Sequence, residues 1–308
     1  MKPILTLTLN PSIDGSSEAE TVRPIRKIRT TNERFDPGGG GINVSRVIRE
    51  LGGASHAIYL SGGATGPILE DILQHRGIAG RRIPIGDHTR VSHAVFERST
   101  GLEYRFVPEG PEVRPEEWQN CLAALEEFDF DYLVASGSLP RGVPADFYCR
   151  VAALTGRKKA KFVLDTSGDA LRETLSAGDV YLVKPSLGEL EQLVGRPLRE
   201  SGAIEEAAMH LVRDGSSDLI AVTMGHEGAI LVQTSGAMRL PALEVEVHSA
   251  VGAGDSFLAA MTLALAQGAT PEFAFRRGVA AGAAAVLTPG TELCKREAVD
   301  RLFAQLPG

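Results

Sequence analysis

Short runs of apolar residues alternate along this chain with segments in which apolar positions recur every three or four residues. The apolar runs predict strands at Ile4–Leu9, Ala57–Ser61, Tyr132–Ser136, Phe162–Asp165, Tyr181–Lys184 and Leu219–Thr223. The amphipathic segments predict helices at Ile42–Leu51, Ile68–His75, Pro115–Glu127, Ala145–Leu154, Glu189–Leu193 and Ile204–Arg213. This alternation is typical of an α/β fold, in which helices cover both faces of a mostly parallel sheet. Ligands of such sheets bind beyond the carboxyl ends of the strands, where Ser138, Asp165 and Lys184 lie in this sequence.

Two stretches interrupt the alternation. Asp14–Asp36 is mostly polar, whereas Val91–Val107 alternates apolar and polar residues on either side of Ser99-Thr100-Gly101, as a hairpin with one apolar face does. We therefore expect a single domain over residues 1–308, with insertions at about 12–36 and 88–108 that together form a small accessory sheet. Its apolar face must pack on the core, on a ligand or on a second subunit.

Composition narrows the range of partners and compartments. The formal net charge of −7 argues against nucleic acid or an anionic membrane surface as the main partner. No segment approaches the roughly 18 apolar residues of a membrane span, and the N-terminus has no apolar signal-peptide core. Cys121, Cys149 and Cys294 lack any metal-binding spacing, so we expect three free thiols that fill space in a cytoplasmic protein.

The sequence Val251-Gly252-Ala253-Gly254-Asp255 precedes an apolar run, Leu258–Ala266, that predicts a buried helix. A helix N-terminus attracts anions through its unpaired N–H groups, and glycines there let a phosphate approach the backbone. Asp255, in the first turn, is placed to accept a proton from a hydroxyl. An anion site beside a base is what phosphoryl transfer requires. The alternative interpretation is an ordinary turn with an N-cap.

A second glycine-rich run, Gly38-Gly39-Gly40-Gly41, precedes Ile42-Asn43 and the first helix. Four glycines exceed the needs of a turn and indicate close approach of the backbone to a ligand, although flexible glycine loops are common. The Walker A pattern is absent, and no G-x-G-x-x-G follows the first strand. These absences argue against a P-loop enzyme and a dinucleotide-dependent oxidoreductase.

Over nearly its full length the chain resembles the ribokinase-like (PfkB) sugar kinases. Their C-terminal signature, usually D-T-x-G-A-G-D, is similar to Ser249–Asp255, in which Ser-Ala-Val replaces the Asp-Thr portion. Their N-terminal signature is similar to Gly38–Asn43. Leu7–Asp14 resembles the members that act on fructose or tagatose phosphates, and Pro37–Val44 is similar to the minor-type 6-phosphofructokinase branch. Related 1-phosphofructokinases and tagatose-6-phosphate kinases usually carry Lys at the position of Gly40.

The resemblance implies a three-layer α/β/α core, a β-sheet lid that also forms a homodimer interface, and ATP and Mg²⁺ as cofactors. It implies ATP-dependent phosphorylation of fructose 6-phosphate at the C1 hydroxyl, a reaction of glycolysis. The alternatives are a tagatose-6-phosphate kinase, a 1-phosphofructokinase or, in a different class, a catalytically silent sugar-phosphate sensor.

The same resemblance implies roles for individual residues. Those for the sugar phosphate are Asp14, Lys27 (from across the dimer), Gly39, Asn43, Arg90, Arg105 and Ser138. Those for the transfer are the anion hole at Gly252, Ala253 and Gly254 and the base Asp255. Those for ATP are Lys184, Ser186, Thr223, Gly225 and Gly228, with Glu189 holding Mg²⁺ through water. The candidate positions for a monovalent cation such as K⁺ are Ser249, Val251, Ala285 and Gly290.

Some of these residues have a simpler interpretation. Arg90, Arg105 and Lys27 would be solvated charges in most proteins. Ser186 stands where the family's N-x-x-E motif has Asn, although its hydroxyl can still hold a metal-bound water.

Overall fold

A computed structural model describes residues 3–307 of the chain. Its strands are β1 (Ile4–Thr8), β2 (Ser12–Ala19), β3 (Thr31–Gly38), β4 (His56–Gly62), β5 (Gly80–Ile85), β6 (Arg90–Glu97), β7 (Leu102–Phe106), β8 (Tyr132–Ser136), β9 (Lys161–Asp165), β10 (Val180–Val183), β11 (Ser217–Thr223), β12 (Ala229–Gln233) and β13 (Gly236–Leu240). Its α-helices are α1 (Gly40–Glu50), α2 (Gly66–His75), α3 (Pro115–Glu126), α4 (Phe147–Arg157), α5 (Gly168–Ala177), α6 (Leu187–Val194), α7 (Ala203–Arg213), α8 (Ala253–Ala266), α9 (Pro271–Ala285) and α10 (Arg296–Phe303).

The central sheet contains nine strands in the order β13-β12-β11-β10-β9-β8-β1-β4-β5. Pairing is parallel from β5 to β11, and β12 and β13 add antiparallel strands at one edge. Neighbouring residues of one strand, such as Leu133 and Val134, belong to hydrophobic clusters on opposite faces of the sheet. Both faces are therefore buried under helices, and the predicted α/β fold is confirmed.

A separate four-stranded sheet, which we call the lid, has the order β3-β2-β6-β7. β6 and β7 pair antiparallel on either side of residues 98–101, which confirms the hairpin expected there. The other pairs are β2–β3, antiparallel, and β2–β6, parallel. Several large apolar side chains of the lid strands remain exposed: Phe35, Val91, Phe96, Leu102 and Phe106. The division into one domain with two insertions remains a prediction.

All twelve elements expected from periodicity are present, with ends that differ by up to three residues. The sequence analysis missed β5, β12, β13, α5, α9 and α10. β5 lies at the sheet edge and carries Arg81, Arg82 and Pro84, which interrupt an apolar run in the way edge strands tolerate. α9 is rich in alanine and small residues, so its apolar and polar positions alternate only weakly. No helix within residues 3–307 is long and apolar enough to cross a membrane.

Candidate active site

The glycine-rich C-terminal motif begins helix α8, as expected. Gly252 is the N-cap residue with φ of 72°, a left-handed conformation that favours glycine. At Gly254 a Cβ would lie 3.1 Å from the Lys184 Nζ, so the ammonium group sits close against the helix start. The partial positive charge of the helix and the full charge of Lys184 therefore meet at one place, which suits a phosphate group.

Asp255 lies in the first turn of α8 and accepts two hydrogen bonds. The Asn43 Nδ2 donates to its Oδ2 at 2.9 Å, and the Ser136 Oγ donates to its Oδ1 at 3.3 Å. Burial, followed by the nearby Asp165 carboxylate, raises the pKa of Asp255 to about 6, against the opposing effects of Asn43, Lys184 and Ser136. The carboxylate is therefore ionised at neutral pH but is a stronger base than an exposed Asp, as proton acceptors in catalysis commonly are.

A cavity of about 310 Å³ opens between Asp255 and the lid. This volume is at the lower end of small-molecule sites. The predicted residues that line it are Asp14, Gly39, Asn43, Arg90, Arg105, Val251, Gly252 and Asp255. It is also lined by residues that the sequence analysis did not select: Ser12, Gly15, Ser92, His93, Ala94, Val107, Ala250 and Thr291. Two parts of the chain that are far apart in sequence thus form one site.

Asp14 is held in place by two hydroxyl groups. The Ser12 Oγ donates to its Oδ1 at 2.6 Å, and the Ser92 Oγ donates to the same oxygen. A Cβ at Gly38 would overlap the other oxygen, Oδ2, at 1.9 Å, so this glycine makes room for the carboxylate. Asp14 therefore presents an oriented acceptor to the cavity. Period-2 spacing on β6 places Ser92 on the same face as Arg90 and was the signal that could have identified it.

Arg90 is not a solvated surface charge. Its Nη1 and Nη2 donate to the backbone carbonyls of Pro108 and Asn10 at 3.0 and 2.9 Å, and burial lowers its pKa. Its Nε is buried and has no partner among the described residues, so this N–H donor is unsatisfied within the chain. The Arg105 side chain is half exposed, and its Nε lies 4.0 Å from the Glu103 Oε1. Its guanidinium is therefore more accessible to a ligand than that of Arg90.

Two predicted substrate residues lie outside this cavity in the single chain described. Lys27 is exposed in the loop between β2 and β3, and its expected role across a dimer remains a prediction. Ser138 accepts a hydrogen bond from the Asn10 Nδ2 at 3.3 Å, beside the cavity.

Lys184 and Asp165 form a buried ion pair at the carboxyl ends of β10 and β9, with Nζ and Oδ2 3.2 Å apart. Burial raises the pKa of Asp165, despite the opposing charge of Lys184. Burial also opposes the charge of Lys184, but the surrounding carboxylates, Asp165 first, outweigh it and raise its pKa. Asp165 was not selected as a site residue, and its position directly after a strand was the only sequence signal for it.

A sequence profile described as pfkB family carbohydrate kinase matches residues 11–298. The chain belongs to this family. It is 42% identical over 302 residues to the ATP-dependent 6-phosphofructokinase isozyme 2 of Mycobacterium tuberculosis, covering 97% of this chain and 88% of that protein. It is 37% identical to the Escherichia coli enzyme of the same name, over 99% of both chains. A more distant relative is the 1-phosphofructokinase of Borreliella burgdorferi, 32% identical over 98% of this chain and 97% of that protein.

Solved structures of the family agree with this fold. Phosphofructokinase-2 from E. coli in complex with potassium has a TM-score of 0.95, 37% identity and 99% coverage of both chains. The same enzyme in complex with fructose-6-phosphate gives 0.94 at 36% identity, again over 99% of both chains. Its tetrameric inhibited form gives 0.94 at 36% identity, with the same coverage.

In this pfkB kinase, Ser186 and Glu189 form the capping box of α6. The Ser186 N and Oγ both donate to the Glu189 Oε2, at 2.7 and 2.8 Å. Glu189 therefore has a structural task that the sequence analysis did not anticipate. Its charge also raises the pKa of Asp165 and of Lys184.

The donor set around Lys184 fits Mg²⁺ bound together with a nucleotide. Mg²⁺ usually takes one or two protein carboxylates and completes its coordination with substrate phosphates and water. Asp165 and Glu189 supply two such carboxylates. Within residues 3–307 no group of three or more metal-ligating side chains is present, so the phosphates would have to contribute. Glu189 and Asp165 are thus the residues that would hold the ion.

The remaining predicted nucleotide residues of the kinase lie at the end of β11 and in the turn that follows it. The Thr223 N donates to the Pro185 carbonyl at 3.0 Å, which joins this strand end to the Ser186 turn. Gly225 begins a short 3₁₀ turn and leaves open space where a Cβ would be. At Gly228 a Cβ would lie 2.1 Å from the Leu240 carbonyl, so packing against β13 by itself requires glycine there. Nucleotide contacts at these positions remain predictions.

Packing also accounts for part of the N-terminal glycine run. A Cβ at Gly40 would lie 2.2 Å from the Ser136 Oγ, and one at Gly41 would lie 2.5 Å from the Leu7 carbonyl. These two glycines let α1 approach the central sheet, whereas Gly39, with φ of 104°, lines the cavity. A Cβ at Gly39 would lie 2.7 Å from the Thr8 Cγ2, so packing and the positive φ also favour glycine there, and close approach to a ligand remains a prediction.

Four backbone positions were expected to offer carbonyls to a monovalent cation. The Gly290 carbonyl accepts from the Ser249 Oγ at 3.1 Å, and the Ala285 carbonyl accepts from the Thr288 Oγ1 at 2.7 Å. The Val251 N donates to the Ser249 Oγ at 3.2 Å. Ser249 therefore ties this segment together, and the cation site remains a prediction.

Proposed function

We propose that this protein is an ATP-dependent 6-phosphofructokinase, which transfers a phosphoryl group from ATP to the C1 hydroxyl of fructose 6-phosphate. One observation carries the proposal. Asp255, with a pKa raised to about 6, lies between a helix N-terminus that suits phosphate and a cavity that contains Arg90 and Arg105. An anion site, a base and a cationic pocket, in this order, match the transfer of a phosphoryl group to an acceptor that is itself a phosphate ester.

The lid side of the cavity binds and orients the sugar phosphate. Arg90 and Arg105 bind the phosphate at C6, since charge-assisted hydrogen bonds from guanidinium groups are strong and directional. Asp14 and Asn43 hold hydroxyl groups of the sugar, which places the C1 hydroxyl toward Asp255. The lid excludes water from the site, which suppresses hydrolysis of ATP.

The core side performs the transfer. Asp255 accepts the proton of the C1 hydroxyl as the hydroxyl oxygen attacks the γ-phosphorus of ATP; the bond from that phosphorus to the bridging oxygen of the β-phosphate breaks, and ADP leaves. The N–H groups at 252–254 and the Lys184 ammonium stabilise negative charge on the transferring group. Mg²⁺, when bound through ATP, Asp165 and Glu189, neutralises charge on the phosphates.

The exposed apolar face of the lid supports assembly through this sheet. Phe35, Leu102 and Phe106, which the strand register places on one face, are 52%, 58% and 61% exposed, an unusual concentration on one small sheet. We infer a homodimer in which these faces pack together, and Lys27 of each chain reaches toward the other's site. We also expect the enzyme to act in the cytoplasm, where its three free thiols stay reduced.

The experiment that tests the function is ADP production by the purified protein with ATP and Mg²⁺. Parallel reactions contain fructose 6-phosphate, tagatose 6-phosphate, fructose 1-phosphate or no sugar. We expect the highest kcat/KM with fructose 6-phosphate. Higher kcat/KM with another sugar would overturn the substrate and keep the chemistry. Sugar-phosphate binding without turnover would instead identify a silent sensor.

A further inference from the structure

Arg46 lies one helical turn after Asn43 on α1 and links that residue to the lid. Its Nη1 donates to the Asn43 Oδ1 and to the Pro37 carbonyl, at 3.0 Å each. Its Nη2 lies 3.3 Å from the Asp36 Oδ1, and the side chain of Arg46 is 12% exposed. Arg46 does not line the cavity described above, whereas its partner Asn43 does.

The contact with Arg46 determines which way the Asn43 amide faces. An amide has an acceptor end and a donor end of nearly equal size, and its partners decide between the two orientations. A guanidinium has donors only, so Arg46 selects the oxygen of Asn43. The NH₂ group is then turned toward the Asp255 Oδ2, to which it donates at 2.9 Å. The opposite orientation would set two oxygens against each other.

Arg46 is itself held by the lid strand β3. Asp36, the residue that pairs with it, is buried, and its carboxylate also contacts the Arg76 Nη2 at 2.5 Å and the Thr291 Oγ1 at 2.9 Å. Three separate segments therefore converge on this one carboxylate. The Arg46 guanidinium has little freedom to rotate, and it therefore fixes the orientation of the Asn43 amide.

We propose that Arg46 is a positioning residue for phosphoryl transfer, which acts by orienting the Asn43 amide and thereby the carboxylate of Asp255. The inference rests on the proposed function, because it assumes that Asp255 is the base. A different role, a purely structural link between the lid and α1, makes different predictions for kinetics.

The first test compares Arg46→Met with Arg49→Met. Both replace an arginine of α1 with an unbranched apolar side chain, but Arg49 donates only to the Arg76 carbonyl among the described contacts. We expect kcat to fall at least about tenfold in Arg46→Met, with KM for ATP changed less than about threefold. Arg49→Met should keep kcat within about twofold of the wild type. A purely structural role would lower the unfolding temperature of Arg46→Met and leave kcat unchanged, which would overturn the proposal.

A conservative variant keeps the test valid if Arg46→Met does not fold. Arg46→Lys preserves the charge but has a single nitrogen, so it cannot contact Asn43 and Pro37 through one nitrogen and Asp36 through another, as the guanidinium does. We expect Arg46→Lys to have a near-normal unfolding temperature and a kcat at least about fivefold below wild type. Full activity of Arg46→Lys would show that charge alone is needed and would reject the positioning role.

A double-mutant cycle with Asn43→Ala decides the route of the effect. If Arg46 acts through Asn43, Arg46→Lys should change kcat less than about twofold in the Asn43→Ala background. Independent, multiplicative losses would overturn the inference. If the wild-type enzyme phosphorylates fructose 6-phosphate, independent losses would overturn the role of Arg46 and leave the proposed function intact. Turnover on a different sugar would reject 6-phosphofructokinase activity, and the cycle would then be measured with that sugar.

Discussion

The two sides of the active site differ in what surrounds their charged groups. At the start of α8, Asp255, Asp165 and Lys184 lie together, and Lys184 changes the pKa of both carboxyl groups while both carboxylates raise the pKa of Lys184. On the lid, the Arg105 side chain is 51% exposed and 4.0 Å from the nearest acidic oxygen of Glu103. Buried charges depend on one another, whereas exposed charges are available to a ligand. We therefore expect changes at the core side to alter kcat and changes at the lid to alter KM.

The largest expected effect is the loss of turnover in Asp255→Asn. The amide keeps the shape of the side chain but cannot accept the proton, so kcat should fall at least about a hundredfold. KM for fructose 6-phosphate should change little, because the amide still fills the same space. The measurement is steady-state ADP release, with Asp129→Asn, an exposed Asp, as the matched control. A near-normal kcat would show that Asp255 is not the base, and the proposed difference between the two sides of the site would not hold.

The corresponding change on the lid is Arg105→Met. Removing one charge-assisted hydrogen bond to a phosphate should raise KM for fructose 6-phosphate about tenfold, with kcat changed less than about threefold. Arg98→Met is the control, since Arg98 belongs to the lid loop but pairs with Glu18 and Glu20 and does not line the cavity. A fall in kcat with constant KM would contradict the division of labour.

The pH dependence tests the buried groups. Because the pKa of Asp255 is raised to about 6, kcat at saturating substrates should fall about tenfold per unit as pH decreases below that value. Asp165 raises this pKa, whereas Asn43, Lys184 and Ser136 lower it. Asn43→Ala should therefore raise the pKa of Asp255 and move the decline of kcat at low pH to a higher pH. Arg105→Met should not change the pH at which kcat declines. Substrate phosphates also titrate near pH 6, but they cannot produce a shift confined to one variant.

The smallest expected effect concerns stability. A carboxyl group whose pKa is raised by folding stabilises the protein at low pH, and this contribution is lost as pH rises through the folded value of about 6. Asp255→Asn, which cannot ionise, should therefore raise the free energy of unfolding at pH 8 by roughly 1 to 3 kcal/mol. At pH 4 the variant and wild type should differ much less. Chemical denaturation at the two pH values measures the difference, and equal changes at both would contradict the assignment of the pKa shift to Asp255.

Periodicity was sufficient for most of the core because buried strands and amphipathic helices have local signatures. It failed for β5, whose Arg81 and Pro84 break the apolar run, and for the alanine-rich α9. The Gly252–Asp255 motif could be interpreted because a helix N-terminus has the same chemistry in any fold. Nothing local distinguished Gly40 and Gly41, which pack against the sheet, from Gly39, which lines the cavity.

The sequence by itself determined most of the core elements, the family and the glycine–aspartate motif, since each has a signature in residues a few positions apart. The tertiary structure decided which side chains meet. Asn43 and Asp255 are 212 residues apart, and the order of strands and the position of α1 bring them to 2.9 Å. Ser92, Asp165 and Arg46 acquire their environments in the same way. Burial, which raises the pKa of Asp255, is a property of the packed site, because a carboxylate loses its water only when the rest of the chain surrounds it.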